Sequence, residues 1–324
     1  MKIVITRRIP EAGVETLVHA FGTEQVRRHE EERPMTRAVL LDALRGATAV
    51  LCTITEKMDA EAMDAAGDQL KIIANMAVGY DNINLADAAA RNILVTNTPG
   101  VLTEATADLA WALILGAARR TGEAERCLRA GLWEGWGPLQ FLGASVHGKT
   151  LGIFGMGRIG RAVARRALGF DMPVLYCDTN RLDAETERQL HARLVDKDTL
   201  LRESDILTLH CPLTPETRHA FTLREFKQMK RGALIVNTSR GPVIKEEDLS
   251  AALREDLIFA AGLDVYEHEP AVHAALLKQE QAVLLPHLGS ATVETRATMA
   301  RMAAENIVAA LSGSEPPNRV LLPS

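Results

Sequence analysis

The chain has 324 residues, of which 47% are hydrophobic, 24% charged and 4% aromatic, with a formal net charge of -5. That length suffices for two ordinary domains, each with its own core. The slight acidity gives no electrostatic footing for nucleic acid or an anionic membrane, so neither is expected as a partner. Cys52, Cys127, Cys177 and Cys211 are scattered, with no CxxC pair or Cys/His cluster. Neither a disulfide framework nor a metal site is predicted, and a reducing cytoplasm is the expected compartment.

The opening "MKIVITRRIP" has too short an apolar segment for a signal peptide and reads as a first strand. "AVLCT" is a strand, "DAEAMDAAG" a helix, "LKIIANM" a strand, "LADAAARN" a helix and "ILVTN" a strand. Such alternation predicts βα units around a parallel sheet. "TEATADLAWALILGAARR" follows as one long helix, apolar on most sides and therefore buried, with Thr103 as its N-cap. It is too short to span a bilayer. A second series begins near Gly148, with strands in "KTLGIF", "MPVLYC", "DILTLHC", "ALIVNTS", "IFAAGLDV" and "AVLLP". The tail "VETRATMARMAAENIVAALSG" is an amphipathic helix ending at a glycine suited to a C-terminal cap. The chain therefore reads as two α/β domains.

"TLGIFGMGRIGRAVARRALG" carries Gly155, Gly157 and Gly160 in the spacing GxGxxG, between an apolar strand and a helix. Gly155 allows the tight turn, Gly157 lets the backbone approach a pyrophosphate, and Gly160 permits close packing of helix on strand. The helix N-terminus then offers N–H groups and partial positive charge to the phosphates. The next strand ends at Asp178, where a carboxylate accepts hydrogen bonds from ribose hydroxyls and repels a 2′-phosphate. NAD(H) is therefore the preferred cofactor, with NADP(H) as the alternative, because Arg181 follows closely and would offset part of the repulsion.

Further along, polar residues stand where apolar runs end: Thr238 and Arg240, then Asp264 and Glu269, then His287 and Ser290. In an open parallel sheet these ends share one edge, where ligands bind. Reducing a ketone by hydride needs a proton donor with a pKa near neutral, and His287 fits that role. Glu269 would hold its tautomer and favour imidazolium. Arg240 would grip a 2-oxo acid's carboxylate with two parallel hydrogen bonds and polarise the adjacent carbonyl. Asp264 would accept from the nicotinamide carboxamide. Arg240 as a surface charge and Glu269-Pro270 as a plain turn are the structural alternatives.

The motifs "NMAVGYDNIN", "NTPGVLTEATADLAWALIL", "GKTLGIFGMGRIGRAVARRALGFDM", "HCPLTPETRH", "GALIVNTSRGPVI", "GLDVYEHEP" and "LLPHLGSAT" resemble the D-isomer-specific 2-hydroxyacid dehydrogenases over nearly the whole chain. Within that family the chain is most similar to the glyoxylate/hydroxypyruvate reductases. The resemblance implies two Rossmann/flavodoxin-like α/β domains with parallel sheets, the first discontinuous. Residues 1-99 and 288-324 would form the substrate-binding lid domain and residues 100-287 the dinucleotide-binding domain. It implies a catalytic trio of Arg240, Glu269 and His287. Cofactor contacts would include Thr103, Arg158, Ile159, Cys211, Pro212, Thr238 and Asp264 beside the glycine turn and Asp178. Substrate contacts would come from Ile54, the backbone of Val78 and Gly79, and Ser290.

A homodimer is implied, and Trp136, in "GLWEGWGPLQFLG", matches a tryptophan that enters the partner's active site in the hydroxypyruvate reductase branch. Packing at the dimer interface alone is the other role open to it. The expected reaction is reduction of a small unphosphorylated 2-oxo acid to the D-2-hydroxy acid. Other substrates of the family (3-phosphoglycerate, 2-ketogluconate, phosphite) and a dinucleotide-sensing protein without turnover are the alternatives.

Overall fold

The computed structural model describes residues 1–321. The chain forms two compact units, one of Met1–Leu102 with the stretch from Ser290 onward, the other of Thr103–Gly289. The first unit runs β1 (Ile3–Ile5), α1 (Glu11–Phe21), β2 (Val26–Arg28), α2 (Arg37–Leu44), β3 (Ala49–Cys52), α3 (Ala60–Ala66), β4 (Ile72–Asn75), α4 (Leu85–Ala90) and β5 (Leu94–Thr96). Its sheet has the order β2-β1-β3-β4-β5, and every pairing is parallel. β1, β3 and β4 are buried at every position, which is why they read as unbroken apolar runs. β2, with the sequence VRR, lies at the sheet edge with both arginines exposed, so no such run announces it.

The second unit begins with α5 (Thr103–Ala118) and α6 (Thr121–Arg129). The helix expected from Thr103 to Arg120 ends two residues earlier, at Ala118, and a second helix that the sequence reading did not include follows it. Arg120 takes a left-handed φ of 52°, which ends one helix and starts the next in a new direction. Thr103 is the first residue of α5 rather than a cap ahead of it. Trp111 of α5 stacks on Phe170 at 4.5 Å and donates its indole N–H to the Val163 carbonyl at 3.1 Å. That satisfies the polar end of a side chain otherwise committed to the core.

Then follow β6 (Leu151–Phe154), α7 (Arg158–Ala167), β7 (Val174–Cys177), α8 (Ala184–Gln189), β8 (Ala192–Leu194), α9 (Lys197–Glu203), β9 (Ile206–Leu209), α10 (Leu223–Phe226), β10 (Leu234–Asn237), α11 (Glu246–Arg254), β11 (Ala260–Leu263) and β12 (Ala282–Leu284). The order is β12-β11-β10-β9-β6-β7-β8, again wholly parallel. The chain winds outward from β6 in one direction through β7 and β8, then in the other from β9 to β12. The switch point therefore lies between β6 and β9, where an open α/β sheet binds its ligand. β8, a partly exposed edge strand, is the second one that the sequence pattern does not announce.

The last helix, α12 (Val293–Leu311), returns to the first unit. Thr292 caps it by accepting from the Thr295 N–H at 3.1 Å, and Gly313 follows its end with φ 81°. Ala300, Ala303, Ala304 and Ile307 share a core with Ile3, Ile5 and Leu17. Among the described residues no helix is long and apolar enough to cross a membrane. A Cβ at Gly13 of α1 would lie 2.7 Å from the Ala300 carbonyl oxygen, so these helices touch backbone to backbone. Gly13→Val should cost about 1–3 kcal/mol of stability by overpacking that contact, read from urea midpoints. An unchanged midpoint would contradict the packing described.

Candidate active site

The glycine turn follows β6 at the switch point. Gly155 has φ 97°, and a Cβ there would meet the Cys211 nitrogen at 2.6 Å, so the β6 and β9 ends abut only because it is glycine. A Cβ at Gly160 would lie 2.3 Å from the Gly155 carbonyl oxygen, so helix and turn close on each other there. At Gly157 nothing lies within 4 Å of that position, which leaves open space at the helix end. Gly157 is also the N-cap of α7 and has no side chain to satisfy the first-turn N–H groups. Open space beside uncommitted donors at the positive end of a ten-residue helix is what a dinucleotide's pyrophosphate requires.

Arg158 and Ile159 open α7, and Asp178 stands just past β7. Its carboxylate accepts from the Met156 N–H at 2.6 Å and from the Asn180 N–H at 2.9 Å, which ties the β7 end to the glycine turn. Arg181 is bound to Glu187, with contacts of 2.9 and 3.1 Å. Cys211 is buried just past β9, and burial pushes its thiol up to about 12. It is a thiol and not a thiolate at neutral pH. Pro212 beside it is exposed.

The three strand ends named from sequence lie on adjacent strands, β10, β11 and β12. Glu269 Oε2 is 2.8 Å from His287 Nδ1, and Glu269 Oε1 accepts from the Tyr266 N–H at 3.0 Å. Burial pushes the Glu269 carboxyl up. The His287 hydrogen bond and charge, the Tyr266 N–H and the Arg240 guanidinium outweigh that and hold it below the usual glutamate value. About a third of each side chain of the pair is exposed, which leaves the imidazole reachable. Arg240 donates from Nη1 to the Ser239 carbonyl at 2.8 Å, and its own carbonyl accepts from Asn237 Nδ2 at 2.9 Å.

His287 sits in the left-handed region, φ 56°, and Asp264 explains how. The buried Asp264 carboxylate accepts from the Leu288 N–H at 2.6 Å and the Gly289 N–H at 2.8 Å, while its backbone carbonyl takes the His287 N–H at 3.0 Å. Burial raises its pKa, with the two N–H bonds and His287 working in the other direction. The acid read as a nicotinamide contact thus has both carboxylate oxygens engaged in shaping the histidine's turn. Thr106 of α5 secures the same turn by donating to the Gly289 carbonyl at 3.0 Å.

Sequence reasoning passed over His210, although it follows β9 as His287 follows β12. Its Nε2 is 2.9 Å from Thr208 Oγ1, and its Nδ1 is 3.4 Å from Thr238 Oγ1. Burial lowers its pKa to about 3, so it is neutral at physiological pH and orients the buried Thr238 without supplying protons. Thr103 opens α5, and Trp136, in the irregular segment after α6, is 84% exposed.

In the first unit, Ile54 follows β3, and Val78 and Gly79 follow the adjacent β4. Asn97 Nδ2 donates to the Val78 carbonyl and Asn75 Nδ2 to the Gly79 carbonyl, each at 2.8 Å, which fixes that turn. Buried Glu56 orders the Ile54 loop by accepting from the Thr53 N–H at 2.8 Å and the Thr6 hydroxyl at 2.9 Å. Ser290 also belongs to this unit.

Residues 111–289 match the family model described as D-isomer specific 2-hydroxyacid dehydrogenase, NAD binding domain. Glyoxylate reductase of Thermococcus litoralis is 47% identical over 323 residues, covering 98% of this chain and 96% of that protein. The solved glyoxylate reductase of Paecilomyes thermophila superposes with a TM-score of 0.87 at 34% identity, covering 99% of this chain and 98% of that one. An NADPH-dependent glyoxylate/hydroxypyruvate reductase of Sinorhizobium meliloti, solved with NADP and malonate, gives 0.84 at 33% identity, covering 98% and 96%.

The fold and the glycine turn define a nicotinamide-dinucleotide oxidoreductase. The chain belongs to the D-isomer specific 2-hydroxyacid dehydrogenase family.

Because the Glu269 carboxyl is held below its ordinary value, its contribution to stability is complete above the unfolded-state pKa and is lost as pH falls through the folded value. The gap in urea midpoint between the wild type and Glu269→Gln should therefore be widest at neutral pH and narrow on acidification. A gap independent of pH would contradict the pairing.

Proposed function

We propose that the chain reduces glyoxylate, hydroxypyruvate or a similar small 2-oxo acid to the D-2-hydroxy acid, with NADH as the preferred donor. The observation that carries this reading is the His287–Glu269 pair at 2.8 Å, with Arg240 acting on the same carboxylate, at the carboxyl edge of a sheet that also holds the glycine turn. The similarity to glyoxylate reductases over nearly the full length supports the substrate class.

The roles follow from charge and geometry. Arg240 binds the substrate carboxylate and draws electron density toward the carbonyl oxygen. A nicotinamide dinucleotide, held at the Gly155–Gly160 turn and the end of β7, would supply the hydride that the carbonyl carbon accepts. His287, with Nδ1 turned to Glu269, presents Nε2 and gives its proton to the oxygen as negative charge develops there. Glu269 orients the ring and favours the imidazolium until that transfer. We assign further substrate contacts to Ile54, Val78, Gly79 and Ser290, and cofactor contacts to Thr103, Arg158, Ile159, Asp178, Cys211, Pro212, Thr238 and Asp264.

Asp178 at the end of β7 supports NAD over NADP, because its carboxylate repels a 2′-phosphate. The nearby Arg181 is held by Glu187 and so does not offset that repulsion. We also propose a homodimer. Leu128, Leu132, Trp133, Trp136, Leu139 and Leu142 are all exposed within one short segment, a concentration of apolar surface that a second copy would cover. Four free cysteines fit a reducing cytoplasm.

The test is a panel of 2-oxo acids assayed with NADH and NADPH side by side. Turnover should be highest with glyoxylate or hydroxypyruvate and NADH. His287→Ala should lower kcat by about 10²–10⁴-fold, as expected for loss of a general acid. Asp178→Ala should shift the kcat/KM ratio toward NADPH. No turnover with any 2-oxo acid would overturn the reading.

A further inference from the structure

Two glutamates beside the proposed site do no chemistry in the mechanism above, yet their carboxylates are almost fully committed. Glu246 begins α11 and is 5% exposed. Glu267 lies two residues before Glu269. Each accepts the other's backbone N–H: Glu267 Oε2 takes that of Glu246 at 2.7 Å, and Glu246 Oε1 takes that of Glu267. The remaining oxygens are also used. Glu246 Oε2 accepts from the His273 N–H at 3.0 Å, and Glu267 Oε1 is 2.6 Å from His219 Nε2.

This exchange joins the segment that carries Arg240 to the loop that carries Glu269. The two already touch, since a Cβ at Gly241 would lie 1.9 Å from the Tyr266 carbonyl carbon, so only glycine fits. His219 strengthens the first segment by donating its backbone N–H to the Pro242 carbonyl at 2.7 Å. Tyr266 ties the second to β12 by donating its hydroxyl to the Leu285 carbonyl at 2.9 Å, two residues before His287. Placing two carboxylates together is unfavourable unless N–H donors and a nearby cation compensate. Here three backbone N–H groups and the His219 ring do so, with the Lys245–Asp248 ion pair, at 3.0 Å, on the neighbouring turn.

We propose that Glu246 and Glu267 are positioning residues that hold Glu269 at hydrogen-bonding distance from His287 and in register with Arg240. The proposal rests on the roles assigned to those three residues above. A carboxylate two residues from Glu269 sets where its side chain starts, and a shift of about 1 Å in a reacting group is enough to lose roughly 10²-fold in rate.

The donor pattern makes the two positions respond differently to the same conservative change. Glu246 faces two backbone N–H groups, which cannot become acceptors, so Glu246→Gln turns an amide N–H₂ against one of them. Glu267 faces one backbone N–H and one imidazole nitrogen, and the imidazole can switch tautomer to accept. Glu267→Gln therefore preserves the connection, and Glu267→Ala removes it.

The experiment measures kcat against pH for NADH-dependent glyoxylate reduction, and NADH affinity by fluorescence, in Glu246→Gln, Glu267→Gln, Glu267→Ala and Glu269→Gln. Glu246→Gln and Glu267→Ala should each lose at least about tenfold in kcat, in line with misplacement of an acid–base group. NADH affinity should stay unchanged. The alkaline limb of their rate profiles should move to lower pH, as in Glu269→Gln, because a displaced carboxylate no longer favours imidazolium. Glu267→Gln should stay close to the wild type. A normal profile in Glu246→Gln and Glu267→Ala, or a lowered rate with an unmoved limb, would overturn the positioning role. If Glu246→Gln does not fold, the Glu267→Ala and Glu267→Gln pair decides alone. An unmoved limb in Glu269→Gln would overturn the assigned site itself, and the positioning role with it.

Discussion

Strand direction is the constraint on which this site depends. All seven strands of the second unit are parallel, so every carboxyl end opens on one edge. β10, β11 and β12 are consecutive neighbours, and adjacent strands lie about 4.8 Å apart. Residues a few positions past those ends are then within hydrogen-bonding reach, although Glu269 and His287 are 18 apart in sequence. The same edge carries the β6 turn, where Gly155 and Gly160 permit contacts no other residue tolerates. Topology therefore gathers the polar groups, and local hydrogen bonds aim them.

Environment separates groups that look alike in sequence. His210 and His287 both follow buried strands. Both are half-buried, but the first faces only threonine hydroxyls and burial lowers its pKa to about 3, whereas the second is held by a carboxylate. Only the second has the carboxylate partner that the proposed proton donor needs. The acids divide in the same way. Asp264 spends its carboxylate on the backbone of the histidine turn, whereas Glu269 spends one oxygen on Tyr266 and the other on the imidazole. A non-glycine residue in the left-handed region carries a cost of roughly 1–2 kcal/mol, and the Asp264 bonds offset it at His287.

Much of this was legible in the sequence because burial on both faces of a parallel sheet writes itself as apolar runs. β1, β3, β4, β9, β10 and β11 are buried at every position and were readable for that reason. β2 and β8 are edge strands with exposed positions, so composition carried no sign of them. α6 was illegible because none of its residues is buried, so no apolar stripe marks it in the sequence. Arg240, Glu269 and His287 stood out as polar residues at strand ends. Glu246 did not, since an acid in the first turn of a helix looks like ordinary dipole compensation. Its reciprocal bond with Glu267 exists only in three dimensions.

The central claim is that Glu269 fixes the His287 ring with Nδ1 as its donor and leaves Nε2 to hold the transferable proton. Nitrogen-15 NMR of histidine-labelled protein, with His287→Ala used to assign the signal, reads that state directly. The account predicts a protonated Nδ1 throughout, with Nε2 alone titrating and the pattern disturbed in Glu269→Gln. An imidazole protonated first at Nε2, or one indifferent to Glu269→Gln, would contradict it.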